Sequence, residues 1–245
     1  MLAVPPADEA YRQGVALLEQ GRAAEAAPFL KESARLAPKN AQYWKALGVA
    51  FASMNELRDA VEPFRQACAL DPRLLDACYY YGRNLYGTDK YEEALAPLEK
   101  ALAVDPVKGR AEAAIGQCLH ALGRNEAAEK RFQSAVARHD RAEQMARLAF
   151  GQFLVRQGRA AEAVDVLKPA QRPESHDASY ELGLAYCQAG ELEEAAAALQ
   201  GAVRLSPRKA ATRLLLAKVY RRLGRVSEAE SEELAAVTIG LPEQQ

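Results

Sequence analysis

Small and hydrophobic residues recur along this chain with a long, regular period. Gly48 is followed 34 residues later by Gly82, and after a further 34 residues by Gly116. When this spacing is extended, seven consecutive segments each carry glycine or alanine at their eighth position: Gly14, Gly48, Gly82, Gly116, Gly151, Gly183 and Ala217. The segments cover residues 7–40, 41–74, 75–108, 109–143, 144–175, 176–209 and 210–243. Such a period predicts a single array of repeated supersecondary units, preceded by a short tail at residues 1–6.

Two further positions of the repeat predict a pair of helices. Position 20 is alanine in every segment, from Ala26 to Ala229. Position 15 holds only residues that accept a left-handed backbone and can therefore end a helix. These residues are Gly21, Asn55, Asp89, Gly123, Gly158, Gly190 and Gly224. The pattern predicts a first helix, helix A, over positions 2–14 of each segment and a second, helix B, that begins near position 18.

The composition of the repeat also predicts how the two helices pack. Glycine at position 8 and alanine at position 20 lack bulk, so helices A and B can approach closely where they cross. In the second segment, Leu47, Phe51 and Phe64 are expected to fill the space around that contact. Proline at position 32 ends helix B because it cannot continue the hydrogen-bond ladder. It occurs at Pro38, Pro72, Pro106 and Pro207. No stretch has the alternating pattern of a strand, so the predicted fold class is all-α.

Several segments depart from the pattern. The fourth ends in Asp140 rather than proline, and the fifth contains Pro169 and Pro173, which are expected to cut its helix B short. In the seventh, Glu233 stands at position 24, where a core leucine or phenylalanine is expected; an exposed terminal helix explains this. We therefore expect the array to be least regular around residues 138–140 and 168–176. Prolines expected to bend or loosen helix B are Pro28, Pro63 and Pro97.

These repeated positions resemble the tetratricopeptide repeat family. The second segment has the family's full pattern: Trp44, Leu47, Gly48, Phe51, Ala60, Phe64, Ala67 and Pro72. The resemblance extends over residues 7–243. It implies a right-handed α-solenoid, or superhelix, of about seven helix–turn–helix units, with helix A of each unit lining a concave groove. Because this family usually binds proteins or peptides, the resemblance also implies a protein-interaction scaffold.

Charge and motif content argue against other classes of protein. The formal net charge is −1, so there is no chain-wide field to attract nucleic acid or an anionic membrane. No apolar run approaches the roughly 20 residues that a membrane-spanning helix needs. The histidines, His120, His139 and His176, lie far apart in the array, and no nucleophile–base, phosphate-binding or metal-ligand motif is present. We therefore expect no enzyme activity, no cofactor and no metal.

The four cysteines bear on the cellular compartment. They are Cys68, Cys78, Cys118 and Cys187, and none belongs to a C-x-x-C pair. We interpret them as small buried hydrophobic residues with free thiols, which favours a reducing compartment. The first ten residues lack the basic and apolar regions of a signal peptide. A cytoplasmic location is therefore expected, and a periplasmic one if a targeting segment has been removed.

The family resemblance also suggests a binding surface. Ligands in this family usually touch helix A at positions 2, 5, 9, 12 and 13. In the second to fourth segments the side chains expected there are Lys45, Tyr79, Arg83, Tyr86, Arg110, Gln117 and His120. Arginine beside tyrosine is typical of binding hot spots and suits a protein or peptide with acidic or C-terminal carboxylate groups. Asp76 is the nearby acid that is expected to neutralise this surface in part. The alternative is that these are ordinary solvated side chains.

A second candidate surface lies near the end of the chain. No acidic residue occurs between Ala195 and Ser227, and Lys218, Arg221 and Arg222 fall on helix A of the last segment. The following helix is rich in glutamate. These basic residues either dock an anionic partner or are neutralised by that helix.

The predicted function is a non-catalytic scaffold that holds an extended peptide or partner segment in the concave groove. Two alternatives stay open. The chain is compatible with a periplasmic or envelope assembly factor of the same fold, and with the recognition module of a larger enzyme. The fold alone does not separate them, because it hosts many binding roles.

Overall fold

The computed structural model describes residues 7–104, 108–171 and 175–239. In these ranges the chain forms fourteen α-helices and one short 3-10 helix, and no β-strand. The helices are α1 Ala7–Glu19, α2 Ala23–Leu36, α3 Ala41–Ser53, α4 Leu57–Leu70, α5 Ala77–Gly87, α6 Tyr91–Val104, α7 Lys108–Ala121, α8 Asn125–Ala137, α9 Glu143–Arg156, α10 Ala160–Leu167, α11 His176–Ala189, α12 Leu192–Leu205, α13 Ala210–Arg222 and α14 Val226–Ile239. The all-α fold class and the alternation of helices A and B are confirmed.

The turn inside each helix pair follows the position-15 rule. All seven residues at this position have positive φ, from 61° at Asn55 and Asp89 to 85° at Gly190. The left-handed residue reverses the chain, so helix A ends one or two residues before it and helix B begins two residues after it. Elsewhere in the described ranges, positive φ occurs at Asp76 and His139.

Helices A and B cross at the glycine of position 8, as the repeat predicts. A Cβ atom built on Gly82 would lie 2.5 Å from Cγ of Leu98 and 3.1 Å from the carbonyl oxygen of Ala94. On Gly183 it would lie 2.6 Å from Cγ of Leu199. The position-24 side chain therefore sits directly on the glycine, and the position-20 backbone passes close beside it. Any larger residue would have to push the two helices apart.

The chain divides into two compact units, residues 1–131 and 132–245, and the boundary falls within α8. The first unit contains α1 to α7 and has the more regular helix pairs. Its helices α2, α4 and α6 continue through Pro28, Pro63 and Pro97. Buried side chains form its core, with Leu30, Phe64 and Leu98 from helices B wholly enclosed.

The second unit contains α9 to α14 and the irregular segments. Its helix α10 has only eight residues and passes into a 3-10 helix at Lys168–Gln171, so the expected shortening of helix B is confirmed. His139, with φ of 48°, marks the other irregular segment. Phe132, Phe150 and Phe153 stack in the core of this unit, with ring centroids 5.3–6.3 Å apart.

Several expectations lie outside the described residues. They concern the N-terminal tail at residues 1–6, Pro106, Pro173 and the end of the array after residue 239. The single array over residues 7–243 accordingly stays a prediction.

The expectation of four free thiols is wrong. Cys68 in the last turn of α4 and Cys78 in the first turn of α5 form a disulfide, whereas Cys118 and Cys187 are free. Both bonded cysteines are buried, as expected of packing residues. The turn between the two repeats brings their Cα atoms to 4.7 Å, which is within the range that a disulfide spans.

Candidate binding surface

In the first compact unit, side chains one repeat apart meet across neighbouring helices A. Arg83 on α5 contacts Gln117 on α7, and Asp76 at the start of α5 contacts Arg110 on α7; each pair is 34 residues apart. Equivalent repeat positions therefore face each other, as expected for stacked units. We call the set of partly buried side chains Lys45, Arg83, Tyr86, Arg110 and Gln117, together with the buried Tyr79 against which Arg110 packs, the A-helix face.

Arg110 is neutralised within this face. Its Nη2 donates to Oδ1 of Asp76, and only 17% and 23% of the two side chains are exposed. Its guanidinium also lies over the ring of Tyr79, 4.4 Å from the centroid, a cation–π contact. The sequence suggested that Asp76 would neutralise the patch in part, and the structure makes this a direct ion pair with one particular arginine.

Arg83 has neutral partners instead. Its Nη1 donates to Oε1 of Gln117 at 2.6 Å, and its guanidinium lies 5.4 Å from the ring centroid of Tyr86. Among the described residues no carboxylate forms an ion pair with it. The guanidinium is half-buried and oriented, yet Gln117 is the one hydrogen-bond acceptor that the described residues offer to its five N–H donors. Burial raises the pKa of the neighbouring Cys118 thiol to about 11, and the Arg83 charge opposes this rise.

Lys45 and His120 are placed differently from the two arginines. Lys45 Nζ donates to the carbonyl oxygen of Leu75 at 3.3 Å, in the turn that precedes α5. His120 Nδ1 lies 2.8 Å from Oδ1 of Asn125, the first residue of α8. His120 therefore interacts with the turn between its own two helices.

The basic residues of the second compact unit also differ in whether an acid neutralises them. Arg221 makes two hydrogen bonds to Glu233, at 2.8 and 2.6 Å, so the position-24 glutamate of the last segment neutralises it. Arg222 Nη1 donates to the carbonyl oxygen of Cys187 at 3.0 Å. Lys218 is exposed, and no described acid forms an ion pair with it.

One contact near the A-helix face was not expected from the sequence. Tyr43 donates its hydroxyl hydrogen to Asp8, and its ring stacks on Tyr11 with centroids 4.7 Å apart. The nearby carboxylate and burial together raise the pKa of Tyr43. Asp8 and Tyr11 stand at positions 2 and 5 of the first segment, as Asp76 and Tyr79 do in the third, but their partner Tyr43 is at position 3 of its segment whereas Arg110 is at position 2.

The chain matches models of one repeat family. Tetratricopeptide repeat models match residues 11–74 and 85–149, and a third model, described as a TPR repeat, matches residues 183–224. These stretches lie in both compact units. None of the helices in the described part of the chain is both long enough and apolar enough to cross a membrane.

Two bacterial proteins are similar over part of the sequence. The type IV pilus assembly protein PilF of Pseudomonas aeruginosa is 34% identical over 96 residues, which cover 39% of this chain and 38% of PilF. The cellulose synthase operon protein C of Escherichia coli K12 is 37% identical over 67 residues, or 27% of this chain and 6% of that protein. The matched stretches thus span well under half of either relative.

Solved structures share the fold at low sequence identity. A tetratricopeptide repeat protein from Parabacteroides merdae superposes with a TM-score of 0.71 at 17% identity, over 97% of this chain and 94% of that one. The Cut9–Hcn1 hetero-tetramer of the APC/C gives 0.73 at 18% identity, over 94% and 46%. Human IFIT1 with m7Gppp-AAAA gives 0.63 at 19% identity, over 91% and 58%.

Proposed function

Because the chain belongs to the tetratricopeptide repeat family, we propose that it is a non-catalytic scaffold that holds an extended segment of a partner protein against its A-helix face. The family's fold supports a protein partner. The A-helix face supports a more specific ligand: a segment that carries a carboxylate beside an apolar or aromatic side chain.

The observation that carries this proposal is the difference between the two arginines. Asp76 already compensates the charge of Arg110, whereas Arg83 is held in place by an amide and a tyrosine ring. An oriented arginine binds a carboxylate through two parallel hydrogen bonds at little further cost in side-chain entropy. Arg83 is therefore the anchor for the acidic group, and Tyr86 covers the adjacent apolar part of the ligand.

Affinity measurements on matched variants test this proposal. A partner is first captured from an extract of the source organism and cross-linked through a photoreactive residue at position 86. Its affinity is then measured for the parent, for Arg83→Ala and for Arg65→Ala. Loss of a charge-assisted hydrogen bond should weaken binding to Arg83→Ala by about 1–3 kcal/mol.

Arg65 is a suitable control because it lies on helix B of the same compact unit and is paired with Glu62. Its replacement should leave the affinity unchanged. If the Arg83 variant remains equally helical by circular dichroism and binds as tightly as the parent, the A-helix face is not the binding site. Lys218 and Arg222 are then the next residues to replace.

A second candidate function is an assembly role in the bacterial envelope. Two observations favour it. The Cys68–Cys78 disulfide suits an oxidising compartment, and a partial relative is a pilus assembly protein. The test is thiol trapping: cells of the source organism are quenched in acid, their proteins are unfolded in denaturant that contains a maleimide reagent, and mass spectrometry reads out the labelling. In an envelope protein Cys68 and Cys78 stay unlabelled until a reductant is added, whereas labelling of both without reductant contradicts this role.

A further inference from the structure

The turn between α4 and α5 is fixed from several sides. The Cys68–Cys78 disulfide closes it, and both cysteines are buried. Inside the loop, the backbone N–H of Leu74 donates to the carbonyl oxygen of Asp71, and that of Ala77 donates to the carbonyl oxygen of Leu74, both at 3.1 Å. The residues just before Cys78 therefore have a defined position relative to α4.

Asp76 is the unusual residue of this turn. It occupies the N-cap position of α5 with φ of 71°, in the left-handed region, and its side chain does not cap the helix. An aspartate at this position usually accepts a hydrogen bond from the first turn of its own helix. Here the carboxylate accepts from Arg110 on the neighbouring helix α7 instead. The left-handed backbone and the missing cap cost the start of α5 local stability, and they leave the carboxylate of Asp76 directed toward Arg110.

The same turn also provides an acceptor to a second cation. Leu75, the residue before Asp76, accepts the hydrogen bond from Lys45 through its carbonyl oxygen. One short turn therefore supplies acceptors to two of the three cations on the A-helix face. Arg83, about two helix turns further along α5, receives none from it.

From this arrangement we infer that Asp76 is an internal acidic ligand that determines which partners the A-helix face accepts, and that the Cys68–Cys78 disulfide holds it in place. Partners with a single carboxylate bind at Arg83, whereas a second carboxylate would have to displace Asp76 from Arg110. The inference on partner selection rests on the proposed function, but the positioning of Asp76 does not.

The positioning is tested without any partner. Phenylglyoxal modifies accessible arginine side chains, and peptide mass spectrometry gives the rate at each site. In the parent, Arg110 should react more slowly than Arg83. In Asp76→Asn, loss of the ion pair should speed modification of Arg110 by about fivefold, while Arg83 stays within about twofold of the parent.

Two further variants complete this experiment. Asp59→Asn, an exposed residue on α4, is the matched control and should leave both rates unchanged. Cys68→Ser/Cys78→Ser, or the parent treated with a phosphine reductant, should raise the Arg110 rate in the same direction as Asp76→Asn. If the serine variant does not fold by circular dichroism, the reduced parent provides this result. Arg110 rates that are equal in the parent and Asp76→Asn overturn the role of Asp76, and equal rates in the oxidised and reduced protein overturn that of the disulfide.

The selection of partners by Asp76 is tested with two synthetic peptides of equal length. Both contain one tyrosine; the first contains one glutamate and the second contains two. Asp76→Asn should bind the two-glutamate peptide several-fold more tightly than the parent does, and the one-glutamate peptide equally well. If Arg83→Ala binds both peptides like the parent, the proposed function fails. If Arg83→Ala weakens both but Asp76→Asn changes neither, only the inference on selection fails.

Discussion

In the first compact unit, the helix pairs are tied together by covalent and ionic contacts. A disulfide joins α4 to α5, and an ion pair joins the start of α5 to α7. In the second compact unit, hydrogen bonds link neighbouring helices A, between Gln152 and Glu181, His176 and Thr212, and Arg222 and Cys187. Its ion pair of Lys209 with Asp177 is weaker than the pair in the first unit, because both side chains are more than half exposed. Its residues Met145 and Leu214, at positions 2 and 5 of their repeats, are about half exposed.

This difference arises although both units use the same repeat. The glycine–leucine contact that packs helix A on helix B is nearly identical in the two units, at Gly82 and at Gly183. What differs is the set of residues that join one repeat to the next. The repeated positions therefore determine how helices A and B of one repeat pack. A few residues outside the repeated pattern determine how firmly successive repeats are coupled and which charges reach the surface.

Breaking the disulfide should produce the largest change in the stability of one unit relative to the other. Because the bond closes a loop between residues 10 apart in sequence, its removal should lower the stability of the first unit by about 2–4 kcal/mol. Hydrogen exchange read by mass spectrometry should show faster exchange in α4 and α5 on reduction, with α11 and α12 unchanged. Cys187→Ser is the matched control in the second unit. Equal acceleration in both units would mean that the units unfold together.

Replacing the position-8 glycines should lower stability by a smaller amount, which is equal in the two units. Gly82→Ala and Gly183→Ala should each destabilise their own unit by about 1–3 kcal/mol, because the new Cβ would overlap Leu98 or Leu199. Gly201→Ala is the control within α12. Its Cβ would meet nothing closer than 3.6 Å, so it should stabilise by up to about 1 kcal/mol through helix propensity. Thermal unfolding of the three variants checks this, and a stabilising Gly82→Ala would contradict close packing at position 8.

The smallest expected effect concerns Glu181 in the second unit. Burial raises the pKa of its carboxyl group above the ordinary value. The folded state then holds its proton to higher pH than the unfolded state, so this residue's contribution to stability falls as pH rises from about 4.3 through the raised pKa. Glu181→Gln keeps an acceptor for Gln152 and should stabilise the second unit at pH 7 by less than about 1 kcal/mol.

Melting temperatures of the parent and of Glu181→Gln between pH 4 and pH 7.5 provide the measurement. The gap between the two proteins should widen toward neutral pH. A constant gap across this range would show that the carboxyl group does not titrate differently in the folded and unfolded states.

The sequence by itself determined the helices and how each pair packs. Gly, Asn or Asp at position 15 adopts positive φ in every repeat, and the position-8 glycine receives the position-24 side chain wherever that contact is described. Both are local rules, because they depend on the conformational freedom and the size of a single residue. Periodicity repeats such rules along the chain, so they can be found without knowing the three-dimensional contacts. The shortened helix α10 follows from the same local reasoning about proline.

Only the tertiary structure decided what each side chain on the A-helix face does. Arg83 and Arg110 looked equivalent in sequence, yet one faces an amide and the other a carboxylate. Cys68 and Cys78 looked like ordinary core residues until the turn brought their sulfurs together. These outcomes depend on the angle and register at which one repeat stacks on the next, to within the length of a hydrogen bond or a disulfide. Residue type and spacing do not contain that information, because packing between neighbouring units sets it.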